Sequence, residues 1–156
     1  MMKEIMEQPQ AISATISPRI GNDGRIILDG IALTQEELQA FNRIFILACG
    51  SAYHVGVVGK YVIEQAARIP VEVDIASEFR YRMPLVDERS LVLIISQSGE
   101  TADTLAALRE AKSHGARVIS IVNVVGSTIA RESDDVLYTW AGPKFPLPQP
   151  KLIALN

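Results

Sequence analysis

Apolar residues in this chain gather in five short runs, each separated from the next by a stretch with helical spacing. Ile44 to Cys49, Leu91 to Ile95 and Val118 to Val122 are near-continuous apolar segments, the pattern of strands buried on both faces. Val71-Glu72-Val73-Asp74-Ile75 alternates with period two, which puts it nearer a sheet edge, and Val136-Leu137-Tyr138 is a last short strand. Between these runs the spacing predicts a helix from Ser51 to about Ala67 and a short one from Ser77 that ends before Pro84. A third spans Thr101 to His114, with Leu105, Leu108 and Ala111 on one side, and a turn or two of helix covers Ser127 to Glu132. Alternating strands and helices imply an α/β domain, a three-layer αβα, flavodoxin-like arrangement with a five-stranded parallel sheet.

The two ends of the chain depart from that pattern. In residues 1–40, Pro9 and Pro18 limit any helix over Met1 to Ile20. Gly21-Asn22-Asp23-Gly24 is a turn cluster, Ile26-Ile27-Leu28 a short apolar run, and Thr34 with Glu36 and Glu37 opens a short helix through Phe41. This portion reads as a linker and helical segment ahead of a domain over 41–143. Residues 144–156, with prolines at alternate positions, suit neither a helix nor a central strand and are expected to form an irregular tail. Reverse translation of that tail is compatible with a frameshift from a single-base deletion.

The chemistry concentrates where strands meet helices. Ser96-Gln97-Ser98-Gly99-Glu100-Thr101 joins the Leu91–Ile95 strand to a helix, offering hydroxyls, a flexible glycine and free backbone N–H groups at a helix N-terminus. Unpaired N–H donors and the positive end of the helix dipole make such a place an anion site. It has no lysine and no GxxxxGKS/T pattern, so a single phosphate on a small molecule fits better than a nucleoside triphosphate. Locally, a simple helix-capping role for the same hydroxyls is an equal alternative. A second turn, Gly50-Ser51-Ala52, falls at the same edge of the sheet, where ligands of such sheets bind, and this favours the binding reading.

Composition then removes function classes. At 156 residues and 48% hydrophobic the chain can bury one core. A net charge of -3 and the lack of a basic run argue against nucleic acid. No apolar segment approaches the ~20 residues of a membrane helix, and no signal-peptide core opens the chain. One cysteine permits no internal disulfide and suits a reducing cytoplasm; two histidines without paired ligand spacing make a metal site a poor expectation.

Five motifs occur in order: Ala48-Cys49-Gly50-Ser51-Ala52-Tyr53-His54, Ser77-Glu78-Phe79-Arg80-Tyr81, Ser96 through Thr104, Asn123-Val124-Val125-Gly126-Ser127 and Ala130-Arg131-Glu132-Ser133-Asp134. Together they closely resemble the sugar-isomerase (SIS) domains of the glutamine–fructose-6-phosphate aminotransferase family, and Lys3-Glu4-Ile5-Met6-Glu7-Gln8-Pro9 is similar to the segment that opens their isomerase domain. The resemblance implies a SIS fold and a division of labour. Ser96, Gln97, Ser98 and Thr101, around Gly99, would hold the phosphate of fructose 6-phosphate or glucosamine 6-phosphate, and Cys49, Gly50 and Ser51 the sugar. Ala52 stands where that family has a serine, a lost contact worth roughly 1.5–3 kcal/mol to a charged ligand.

Other residues carry plainer expectations. Cys49 reads as a small residue ending a buried strand, not a nucleophile, and His54 as a packing or hydrogen-bonding residue. Glu100 is placed for a general base, yet a carboxylate at a helix N-terminus is stabilising by itself, and the structural role is favoured. Arg80 and Arg82 are open between salt bridges and a dimer contact. The resembled enzymes make glucosamine 6-phosphate and glutamate from fructose 6-phosphate and glutamine. Their acid–base glutamate, histidine and lysine belong to a second SIS subdomain absent from this sequence. The expectation is therefore a sugar-phosphate-binding half-site without catalytic residues, inactive alone, needing no cofactor or metal, cytoplasmic and homodimeric. The alternatives are a stand-alone phosphosugar-sensing regulatory module and a deglycase or sugar-isomerase relative.

Overall fold

A computed structural model describes residues 2–142. Its centre is a five-stranded, all-parallel sheet formed by β1 (Arg43–Ala48), β2 (Val71–Ile75), β3 (Ser90–Ser96), β4 (Arg117–Val122) and β5 (Asp135–Tyr138). Their spatial order is β2-β1-β3-β4-β5, so the alternating Val71–Ile75 run is an edge strand, as its period implies. The chain leaves β1 in one direction to β2 and returns past it to β3. That makes the C-terminal ends of β1 and β3 a point where strand order reverses.

Alternation along the strands sorts the core into two layers. Phe45, Leu47, Val92, Ile94, Val118 and Val122 point to one face, where they pack on Phe79, Leu108 and Ile129. These come from α4 (Ala76–Phe79), α5 (Ala102–Ser113) and α6 (Thr128–Glu132). Ile44, Ile46, Leu91 and Ile119 point to the other face, toward Ile63 of α3 (Ser51–Ala67) and toward Leu33 and Phe41, which flank α2 (Gln35–Ala40). Each fully buried large side chain contributes about 1.5–3 kcal/mol, and the Phe45–Phe79 rings meet edge-on at 5.9 Å. Gly56 lets α3 lie close to the sheet, since a β-carbon there would meet Ile46 at 3.0 Å and Val73 at 3.1 Å.

The N-terminal segment differs from its sequence reading. Pro9 does not prevent a helix: α1 runs over Met2–Ile16 with Pro9 inside it, followed by a 3₁₀ turn at Ser17–Arg19. An interior proline costs a helix about 3 kcal/mol. Here the helix end is tied to the sheet: Thr15 Oγ1 accepts the Trp140 N–H at 3.0 Å, and the Arg19 guanidinium donates to the carbonyls of Thr15 and Tyr138. In the short apolar run Ile26-Ile27-Leu28, Ile26 makes one antiparallel bridge to Ile20. The free edge of β5 is met by the next residues instead, through Val136 N–H to Gly30 O and Ala32 N–H to Asp135 Oδ1. The Thr34–Glu37 capping box opens α2 as the residue pattern requires. The expectations for residues 144–156 lie outside the described residues.

Candidate functional site

The site is built from the turns that follow β1 and β3. After Ala48 the chain must turn at once into α3, and Gly50 makes the turn with φ 59° and ψ -135°, a conformation that favours glycine. After Ser96 a second turn leads into α5, and Gly99 takes φ +67°. Because α3 and α5 cover opposite faces of the sheet, their N-termini converge from both sides on the β1–β3 junction.

A cavity of 180 Å³ opens there, lined by Cys49, Ser51, Ala52, Ile95, Ser96, Gln97, Ser98, Thr101 and Thr104. Six of the residues singled out by sequence thus come together: Cys49, Ser51, Ser96, Gln97, Ser98 and Thr101. Gly50 and Gly99 do not line the cavity; they set the backbone that does. Thr104 was not singled out. It is 1% exposed, and its hydroxyl donates to Cys49 Sγ at 3.6 Å, joining the two turns. Its position three residues after Thr101, one helical turn on, is the signal that could have found it.

Local hydrogen bonds shape the second turn. Ser96 Oγ accepts the Gly99 N–H at 3.1 Å, and Ser98 Oγ accepts the Glu100 N–H at 3.3 Å. Thr101 occupies the N-cap of α5 but makes no side-chain cap bond, so the capping alternative is not realised in the helix itself. The first-turn N–H groups of α5 have no intrahelical acceptors, and α3 also starts without a side-chain cap. The lining carries no charged side chain. Its electrostatics come from two helix N-termini, each equivalent to roughly half a positive charge. Such a pocket can hold an anion through hydroxyls and amides. Cys49 is its only titratable lining group, half-buried against the core and bonded by Thr104.

Glu100 turns away from the cavity. Its Oε1 accepts the Thr128 N–H at 2.7 Å, so it serves the start of α6 and not, as a residue of the α5 turn would suggest, the start of α5. That backbone hydrogen bond, with the Thr128 side chain and Arg131 adding to it, holds the carboxyl below its ordinary value. His54 is exposed, its ring edge-on to Tyr53 at 5.7 Å, and is not a core residue. Arg82 pairs with the buried Asp74 at 3.1 Å, while the Arg80 guanidinium lies 4.6 Å over the Tyr81 ring. Among the described residues no group of His, Cys, Asp or Glu is arranged to hold a metal ion, and no helix is long and apolar enough to cross a membrane.

Comparison with known proteins gives a consistent picture. The family model for the SIS domain matches residues 37–153. The chain is 67% identical over 144 residues to the glutamine–fructose-6-phosphate aminotransferase [isomerizing] of Caldanaerobacter subterraneus subsp. tengcongensis, covering 92% of this chain and 24% of that protein. It is 64% identical, with the same coverage, to the protein of that name from Clostridium acetobutylicum. Among solved structures, the C-terminal domain of glucosamine-fructose-6-phosphate aminotransferase from Francisella tularensis superposes with a TM-score of 0.81 at 45% identity, over 92% of this chain and 40% of that one. The chain spans about a quarter of the length of the curated relatives it matches.

Proposed function

This chain belongs to the SIS domain family, and on that premise we propose that it is the phosphosugar-binding subdomain of an enzyme making glucosamine 6-phosphate from fructose 6-phosphate and glutamine. The observation that carries the reading is the uncharged cavity at the β1–β3 junction, flanked by two helix N-termini. In it, the hydroxyls of Ser96, Ser98 and Thr101 and the first amides of α5 hold the phosphate, with the Gln97 carboxamide beside them. Cys49 and Ser51, on the α3 side, face the sugar, and Gly50 makes the turn that places them. A phosphate dianion suits this cradle because amides and hydroxyls can all donate to it, and the helix dipoles favour its charge.

Binding and chemistry separate here. Opening a sugar ring and moving a proton between carbons need groups that give and take protons, and the cavity offers only a hydrogen-bonded thiol. The half-site therefore binds without turning over, and the proton-transferring groups come from a second lobe. With Ala52 lacking a hydroxyl, affinity for fructose 6-phosphate is expected near the millimolar range, about -4 kcal/mol. The same domain forms a homodimer through the exposed apolar side chains of α3, Val55, Val58, Tyr61 and Val62. A net charge of -3 offers little to nucleic acid, and the single thiol suits the cytoplasm.

Equilibrium dialysis with radiolabelled fructose 6-phosphate tests the binding reading, beside an assay for glucosamine 6-phosphate with glutamine or ammonia. Millimolar retention competed by inorganic phosphate, with no product above a buffer blank, is expected. Failure to retain the sugar phosphate contradicts the binding assignment, and turnover contradicts the half-site.

A further inference from the structure

The phosphate turn is held from outside by a loop that never reaches the cavity. Three hydrogen bonds join residues 97–100 to residues 123–129: Asn123 N–H to Gln97 O at 3.2 Å, Ile129 N–H to Gly99 O at 3.0 Å and Thr128 N–H to Glu100 Oε1 at 2.7 Å. Packing adds a steric fit. Ser127 is 3% exposed and its hydroxyl has no hydrogen-bond partner. It is pressed against Gly99, where a β-carbon would lie 2.1 Å from Ser127 Oγ. Arg131 braces the loop by donating to Gly126 O and, at 2.9 Å, to Thr128 Oγ1. Two of the three bonds are between backbone groups; Glu100 supplies the one made by a side chain.

We propose that Glu100 is a positioning residue for phosphate binding: by accepting the Thr128 N–H, it locks the Ser98–Thr101 turn against the β4–α6 loop in the shape that the anion requires. The residue sits between Gly99, whose conformation opens the turn, and Thr101, whose side chain lines the cavity. Losing the bond frees the turn to rotate Thr101 and the first amides of α5 away from one another, without removing any group that touches phosphate. The carboxylate is ionised throughout the neutral range, since its hydrogen bonds hold it below the ordinary value, so this tie persists at the pH where a sugar phosphate is dianionic. This inference rests on the phosphate reading of the cavity proposed above.

The test is a titration of the full 156-residue chain with inorganic phosphate at constant ionic strength, followed by amide resonances, for the unaltered protein, Glu100→Ala, Glu100→Gln, Thr128→Pro and the double variant Glu100→Ala/Thr128→Pro. Proline fits the first position of a helix and removes the N–H donor from the other side of the same bond, so it keeps the question open should Glu100→Ala fold poorly. Glu100→Ala and Thr128→Pro should each weaken phosphate by about fivefold, the equivalent of one ordinary hydrogen bond. The double variant should be no weaker than either single one, because both remove one contact. Glu100→Gln, which keeps an acceptor oxygen, should bind within about twofold of the unaltered chain. Unchanged affinity in Glu100→Ala and Thr128→Pro, additive losses in the double variant, or a loss in Glu100→Gln equal to that in Glu100→Ala overturns the positioning role while leaving the phosphate site intact. If the unaltered chain shows no shifts at residues 96–101, the phosphate reading itself falls, and this inference with it.

Discussion

The two edges of the sheet hold cavities of opposite character. At the N-terminal edge lies the larger, 450 Å³, among Leu33, Glu37, Glu88, Lys112, Arg117 and Asp134. Most of its charges are already matched: Lys112 meets Asp134 at 2.7 Å, Arg117 meets the buried Asp135 at 2.8 Å, and Glu37 closes the α2 capping box. At the C-terminal edge the 180 Å³ cavity has no charged lining, yet α3 and α5 both begin there without a side-chain cap, which leaves first-turn amides of α5 without intrahelical acceptors. Volume and charge alone would favour the N-terminal edge, whereas the proposed phosphosugar site lies at the other. What sets the C-terminal edge apart is the supply of donors that the fold leaves unpaired, because in a parallel αβ topology each helix that follows a strand begins there, whereas α2 at the other edge is closed by its own capping box.

The sharpest way to break this contrast is Gly99→Ala. The added β-carbon meets Ser127 Oγ at 2.1 Å and Cβ at 2.5 Å at a left-handed φ, so the turn must rebuild. Stability should fall by about 2–4 kcal/mol in urea melts, and phosphate binding should be lost. Ser98→Ala comes next. It leaves the fold largely intact while removing a hydroxyl from the cradle, and fructose 6-phosphate should bind about ten- to a hundredfold more weakly, equivalent to roughly 1.5–3 kcal/mol.

The sheet was legible in the sequence because buried strands must be apolar on both faces, as in Leu91 to Ile95. The period of Val71 to Ile75 announced an edge for the same physical reason. The serine-rich turn stood out only together with the Gly50–Ala52 turn at the same sheet edge, since helix capping was an equal reading of it alone, and one cavity brings residues of both turns together. What was not legible depends on partners distant along the chain. Thr15 and Arg19 hold a proline-containing helix against residues 138–140. Glu100 serves a helix whose first residue lies 28 positions away, so its local setting pointed to the wrong N-terminus. Thr104 gave a local signal, but its link to Cys49 spans 55 positions.

At the other edge the expected effects fall on stability and spare binding. Arg117→Ala leaves Asp135, 4% exposed, with the Ala32 N–H as the one partner of its side chain among the described residues. A loss of about 1–3 kcal/mol is expected by denaturant unfolding, with unchanged affinity for fructose 6-phosphate. A change in affinity would mean that the edges are coupled.

Acid should produce the mildest change. Hydrogen bonds from Thr34 hold Glu37 below its ordinary value, and bonds from Thr128 and Arg109 do the same for Glu100 and Glu132. Burial raises Asp134, but Lys112 and the Val118 N–H outweigh it and leave it lowered as well. Groups with folded values below their unfolded ones stabilise fully above the unfolded value, about 4.5 for the glutamates, and lose that contribution as pH falls through the folded values. The melting temperature should be level from pH 7 to about 5 and decline below 4.5. A rise on acidification would contradict these assignments.

The most direct test of the contrast between edges is chemical-shift mapping of the full chain with fructose 6-phosphate, using fructose as the control. The account predicts saturating shifts at residues 50–52, 96–101 and the first turn of α5 with the phosphorylated sugar, and none with fructose. Shifts centred on Glu88, Lys112 and Arg117, or equal responses to both sugars, would contradict it.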